Sequence, residues 1–287
     1  MPAYGSQSMV APLRRVVVRR PDAAFAVEDP AAWHYAARPD LAAAQAEHDA
    51  FVAILRESGA EVIAHDAPLP GLADAIFVHD PAIVTEAGAV ILRMGKALRQ
   101  GEEEALAACL ERAGVPVLGR LTGEARAEGG DLLWLDRHTL AAGVGFRTNP
   151  EGVRQLQAIL GPLGVRVLPV ELPWYQGPDA CLHLMSLISL VAERLAVVYR
   201  PLLSVPFVQE LERRGVALVE VPEEEFPTMG TNVLALAPGD CLMLEGNPVT
   251  QARLVAAGCR VRTYVGREIS LKAERGATCL TRPVLRA

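Results

Sequence analysis

Val153-Arg154-Gln155-Leu156-Gln157-Ala158-Ile159-Leu160-Gly161-Pro162-Leu163-Gly164-Val165-Arg166-Val167 joins a helix-like stretch to a strand-like one through a glycine. Val153, Leu156, Ile159 and Leu160 recur at helical spacing and define one apolar face. Gly164 stands where that helix ends, the position at which the chain turns left-handed and glycine does so at least cost. The same join recurs as Gly59-Ala60-Glu61-Val62, Gly114-Val115-Pro116-Val117, Gly215-Val216-Ala217-Leu218 and Gly258-Cys259-Arg260-Val261. Leu106, Cys109, Leu110 and Ala113 form the matching apolar face before Gly114. Paired strand-like runs precede the later helices: Ala82–Thr85 with Ala89–Leu92, Leu132–Leu135 with Leu140–Val144, Ser186–Leu190 with Ala196–Tyr199, and Val233–Leu236 with Cys241–Leu244. The unit reads strand, strand, helix, strand. Five units of about 50 residues predict one repeat-built α/β domain over residues 1–287. A doubly wound sheet also ends its helices in this way, and periodicity alone leaves the two open. Pro21–Asp40 and Pro169–Pro178 read as long loops and candidate lids.

The composition narrows the function. The chain has 287 residues, 51% of them hydrophobic and 22% charged, enough for a substantial core. A net charge of −6 gives no basic face for nucleic acid or an anionic membrane. All but Lys96 and Lys272 of the 28 basic residues are arginine, which reads as codon bias. No apolar run approaches the roughly 18 residues of a membrane helix. Met1–Val10 lacks a signal-peptide pattern. The expectation is a cytoplasmic protein with a small-molecule partner. Cys109, Cys181, Cys241, Cys259 and Cys279 show no zinc spacing and no disulfide framework; each reads by default as a buried thiol.

Four polar segments sit beside strand ends in different repeats: Asp74–Pro81, Glu128-Gly129-Gly130-Asp131, Cys181-Leu182-His183-Leu184 and Gly276–Thr281. Each has a plain reading alone, as a turn, a cap, a core histidine or an inert thiol. Together they supply carboxylates, an imidazole and a thiol. That set suits attack by sulfur on a cationic carbon such as that of a guanidinium. Carboxylates hold the planar cation, and a histidine protonates the departing amine.

The motifs in order resemble the pentein, or guanidino-group-modifying, superfamily, and within it the dimethylarginine dimethylaminohydrolase family. The resemblance is carried by Asp74 with Phe77-Val78-His79-Asp80, Arg99-Gln100-Gly101-Glu102, Glu128–Asp131, Arg147-Thr148-Asn149-Pro150-Glu151-Gly152, Leu182-His183-Leu184 and Cys279. It implies a five-bladed α/β propeller of ββαβ modules. It implies Cys279 as nucleophile forming a thiouronium, His183 as general acid and then base, and Glu128 and Asp80 at the guanidinium. Arg99 and Arg147 are implied at the substrate carboxylate and Asp74 at the polar tail, with Asp131 fixing its turn. No metal or organic cofactor is implied, and homodimer formation stays open. Three residues depart from the pattern. His79 replaces an acid near the substrate tail. Arg275 replaces one of two glycines before the cysteine, which alters the loop or brings a cation to the site. Met185 stands where arginine deiminases and amidinotransferases carry Asp, and an apolar Met there favours an N-alkylated guanidine over plain arginine. The expected activity is hydrolysis of a substituted guanidine to a ureido product and an amine. Amidino transfer to an amine acceptor is the alternative, and a non-catalytic binding protein on the same propeller the third reading.

Overall fold

The computed structural model describes residues 3–178 and 182–287. It is a five-bladed α/β propeller. In chain order the elements are β1 (Leu13–Val18), α1 (Leu41–Glu57), β2 (Glu61–Ala64), β3 (Ala82–Thr85), β4 (Gly88–Ile91), α2 (Glu102–Arg112) and β5 (Val117–Arg120). There follow β6 (Leu132–Asp136), β7 (Thr139–Val144), α3 (Pro150–Leu160), β8 (Arg166–Glu171), β9 (Ile188–Ala192), β10 (Leu195–Val198), α4 (Val205–Arg213) and β11 (Ala217–Glu220). The last are β12 (Val233–Ala237), β13 (Asp240–Leu244), α5 (Pro248–Ala256), β14 (Arg260–Tyr264) and β15 (Arg282–Arg286).

Each blade is a three-stranded sheet. A hairpin gives an antiparallel pair, a helix crosses over, and a third strand joins in parallel. The first blade is closed by the other end of the chain. β15 runs antiparallel to β1, with Val16 opposite Pro283 and Val17 opposite Arg282, and β1 pairs in parallel with β2. The first repeat looks loose in sequence because its innermost strand lies at the C-terminus.

The five glycines that end the helices all take positive φ: 91° at Gly59, 84° at Gly114, 75° at Gly164, 67° at Gly215 and 90° at Gly258. A side chain there would force the left-handed backbone that L-residues resist. Burial falls from the axis outward. Every residue of β3 and β15 is buried, while no residue of the outer strands β2 and β5 is fully buried. The inner strand edges are thus covered by convergence on the axis, and the outer edges are short. Leu156 and Leu160 of α3 are buried, with Val153 and Ile159 packed beside them as the apolar face predicts. The strand expected from Ser186 begins at Ile188 instead, because Leu184–Ser186 forms a 3-10 turn.

One buried histidine gives the fold a pH dependence. His48 lies on the buried face of α1, and neither ring nitrogen has a hydrogen-bond partner. Burial lowers its pKa to about 4, with the Asp49 charge opposing and the Arg20 charge assisting. The unfolded chain therefore binds this proton below pH 6.5 and the folded chain only near pH 4. Stability contributed by the neutral ring is complete above pH 6.5 and is lost as pH falls towards 4. His48→Leu should flatten that loss by one proton, about 1.4 kcal/mol per pH unit. Urea unfolding of both proteins from pH 7 to 4.5 checks it; parallel pH profiles would refute the assignment.

Candidate active site

The polar segments all sit immediately before innermost strands. His79 and Asp80 precede β3, Glu128–Asp131 precede β6, His183 precedes β9, Thr231 and Asn232 precede β12, and Cys279 precedes β15. Hydrogen bonds tie them into a closed ring, blade to blade. His79 N donates to Cys279 O at 3.3 Å, Gly129 N to Asp80 O at 2.9 Å and Leu184 N to Asp131 Oδ1 at 3.0 Å. Thr231 Oγ1 donates to Ser186 O at 2.6 Å, and Thr278 N to Asn232 Oδ1 at 3.0 Å. The sequence reading found four of these five segments and missed the fifth. Its signal was the repeat itself, since Thr231-Asn232 stands before Val233 as the other four stand before their strands.

Glu128 lies at the centre of the acid–base group. Its Oε1 accepts from Gly95 N and Lys96 N, each at 2.9 Å, and its Oε2 lies 2.7 Å from His183 Nε2. Burial alone would push the Glu128 carboxyl up. The His183 hydrogen bond and the His183 and Arg147 charges outweigh that and hold it below its ordinary value. The turn that delivers Glu128 requires both glycines. A Cβ on Gly129 would lie 2.2 Å from His79 O, and one on Gly130 would lie 2.4 Å from His183 Nδ1. Asp131 lies on the other side of the same turn and feels the His183 charge. It accepts from Thr148 Oγ1 at 2.6 Å and from Leu184 N, so it fixes the backbone next to His183. Burial raises Asp131 to about 6. The Arg147–Gly152 motif supports this from behind: Thr148 holds Asp131, and the Asn149 side chain caps α3 by accepting from Gly152 N at 2.8 Å.

Cys279 and His183 line one cavity of about 180 Å³. Its walls include Tyr175, Phe226, Met229, Asn232 and Arg275. Cys279 is half-buried, whereas Cys109, Cys241 and Cys259 are buried. Asn232 Nδ2 donates to Cys279 Sγ at 3.6 Å, and the same side chain holds Thr278 N and Oγ1 through its Oδ1. Asn232 therefore ties the Cys279 loop to the start of β12. Cys181 lies outside the described residues. Among the described residues, no three His, Cys, Asp or Glu side chains are grouped to hold a metal ion, and no helix is long and apolar enough to cross a membrane.

A family model described as N,N dimethylarginine dimethylhydrolase, eukaryotic, matches residues 32–246. A curated N(G),N(G)-dimethylarginine dimethylaminohydrolase of Streptomyces coelicolor is 30% identical over 247 residues, spanning 86% of this chain and 88% of its own. The chain belongs to the dimethylarginine dimethylaminohydrolase family. Two solved structures agree in fold. One is the dimethylarginine dimethylaminohydrolase of Pseudomonas aeruginosa complexed with citrulline, at a TM-score of 0.78 and 24% identity, covering 94% of this chain and 99% of that one. The other is SxtG, an amidinotransferase of the saxitoxin pathway of Microseira wollei, at 0.80 and 16% identity, covering 99% and 97%. At these identities both speak for the pentein propeller alone.

Asp74, His79, Asp80, Arg99, Arg147 and Met185, which the dimethylarginine dimethylaminohydrolase motifs place at the substrate, do not line this cavity. Arg99 is fully buried and lines no part of the cavity. Its Nε, Nη1 and Nη2 all donate within the protein, to Glu102, to Asp80 and to the carbonyls of Phe77 and Asp74. Arg147 sits behind Glu128, with Nη1 3.8 Å from Oε1. Asp74 accepts from Tyr35 Oη at 2.7 Å and from Lys96 Nζ at 2.6 Å, and is wholly buried. Asp80 is held by Arg99 and by Gly130 N, at 2.9 Å from the latter. His79 bonds through Nδ1 to Thr281 O at 2.8 Å, and burial, then the Arg282 charge, lowers it to about 3. A neutral, enclosed His79 brings no charge to a substrate tail. Met185 packs into an apolar cluster with Leu133, Leu184 and Ile188 and, with His79, borders a separate narrow void. Its preference for an alkyl group over a bare nitrogen therefore has no structural footing. Arg275, by contrast, does bring a cation to the cavity. Of the two candidate lids, Pro169–Pro178 contributes Tyr175 and Gln176 to the cavity wall. Pro21–Asp40 is pinned inward by Tyr35 and by Lys96 Nζ donating to Trp33 O at 3.0 Å.

Proposed function

We propose that the protein is a cysteine-dependent hydrolase of N-substituted guanidines, with a methylated arginine as the model substrate. The observation that carries the reading is the pairing of Glu128 with His183 at the wall of the cavity that holds Cys279. Family membership supplies the guanidine, and the apolar walls at Leu182, Phe226, Pro227 and Met229 suit an alkylated one.

In this reading the Cys279 thiol gives its proton to His183 and Sγ, as thiolate, bonds to the guanidinium carbon, giving a tetrahedral adduct. The carbon–nitrogen bond to the alkylamine breaks as His183 protonates that nitrogen, leaving a thiouronium on sulfur. His183, now neutral, takes a proton from water, whose oxygen attacks the same carbon. The carbon–sulfur bond then breaks to give the ureido product and the free thiol. Glu128 serves by holding and orienting the imidazole and stabilising its protonated form. The buried carboxylates of Asp80 and Glu128 favour a cation near His183, and Asn232 steadies the sulfur.

The test is product analysis by mass with dimethylarginine, monomethylarginine and arginine, with and without added amines. The expected products are a ureido acid and the alkylamine, in amounts indifferent to added amine. Products that incorporate the added amine would instead establish transfer. Turnover of plain arginine in preference to both methylated forms would overturn the substrate assignment.

A further inference from the structure

We propose that Arg275 is a resident guanidinium in the substrate's guanidinium subsite, and that substrate binds by displacing it. The inference rests on the guanidine reading above and deepens it, because it says where in the cavity the planar cation goes.

Arg275 lies four residues before the nucleophile and lines the same cavity as Cys279 and His183. It is 5% exposed, and its guanidinium carbon stands 5.4 Å from the centroid of the Phe77 ring. A planar cation over an aromatic face is a favourable pairing, most of all out of water. Phe77 stands in the chain between Asp74 and Asp80, two buried carboxylates that both feel the Arg275 charge. Burial alone would push Asp74 up, and Arg275 is foremost among the cations that hold it below its ordinary value. Aromatic face, buried acids and nearby thiol are the surroundings a guanidine substrate needs, and the protein fills them with a guanidine of its own.

The backbone on each side of Arg275 is constrained. Glu274 takes φ 55°, a left-handed value for a residue with a side chain. A Cβ on Gly276 would lie 2.3 Å from Asn232 Cγ. Movement is thus confined largely to the rotamers of the long Arg275 side chain, which can leave the ring without unseating Cys279. A resident that occupies the subsite nine-tenths of the time raises the apparent substrate constant about tenfold.

The experiment uses Arg275→Gly and Arg275→Met, the second keeping the apolar stem, with folding checked by circular dichroism. Two quantities are measured: KM and kcat for dimethylarginine, and the guanidinium chloride concentration that halves the rate of iodoacetamide alkylation at Cys279, at constant ionic strength. Both variants should show KM lower by about tenfold, with the change in KM rather than kcat, and half-protection at a guanidinium concentration lower by a similar factor. Arg275→Lys should fall between. Half-protection unchanged or raised in the folded variants overturns the proposal. So does a KM that rises only for substrates bearing a carboxylate, which would make Arg275 an anion anchor. Absence of turnover in every protein, with half-protection still shifted, would remove the hydrolase reading and leave the resident guanidinium standing.

Discussion

Cys279→Ser should lose at least about 10⁴-fold in kcat while its melting temperature moves little. The loss is that of a nucleophile whose replacement oxygen is a far weaker one at neutral pH. The exchange is nearly isosteric at a half-buried position, so the stability change should stay within about 1 kcal/mol. The thiol itself should be the fastest to alkylate among the four cysteines described. Burial pushes the Cys109, Cys241 and Cys259 thiols up, and each of the three is enclosed. Peptide mapping after brief iodoacetamide treatment reads this directly. A Cys279→Ser protein retaining a tenth of the activity, or equal labelling of all four thiols, would remove sulfur from the mechanism.

The five repeated units were legible because their signals are local; that they close as a propeller came from the motif resemblance, since the repeat alone left a doubly wound sheet open. Gly164 and its four counterparts each declare a helix end through a backbone conformation that glycine alone takes cheaply. The closure was not legible, because β15 pairs with β1 across nearly the whole chain and no local pattern reports such a contact. At the site, Cys279, His183 and Glu128 stood out as reactive types before predicted strands, and the fold brings all three to one place. Asn232 was missed because an amide is chemically quiet in sequence. The Met185 expectation rested on the position that relatives fill with Asp; Leu184–Ser186 forms a 3-10 turn, and the Met185 side chain packs in the apolar core. Arg99 carried a readable hint that went unused: Glu102 lies three residues on, a spacing that brings the two side chains together.

That hint leads to the sharpest contrast between the sequence expectation and the structure. An arginine at the substrate carboxylate would, on replacement, raise KM and leave stability alone. The Arg99 found here bridges Asp80, Glu102 and two backbone carbonyls with no exposed surface. Arg99→Met should therefore destabilise the fold by about 3–5 kcal/mol, because it strands two buried carboxylates without their cation. The melting temperature should fall by on the order of 10 °C. Arg99→Lys should recover only part of this, since one ammonium cannot match a planar fork aimed at several acceptors. The decisive variant adds Glu102→Gln to Arg99→Met. If stranded charge is the cause, removing one carboxylate should restore a substantial fraction of the loss, a coupling that a double-mutant cycle measures. Strict additivity of the two substitutions, or a stable Arg99→Met protein with only KM altered, would return Arg99 to the substrate.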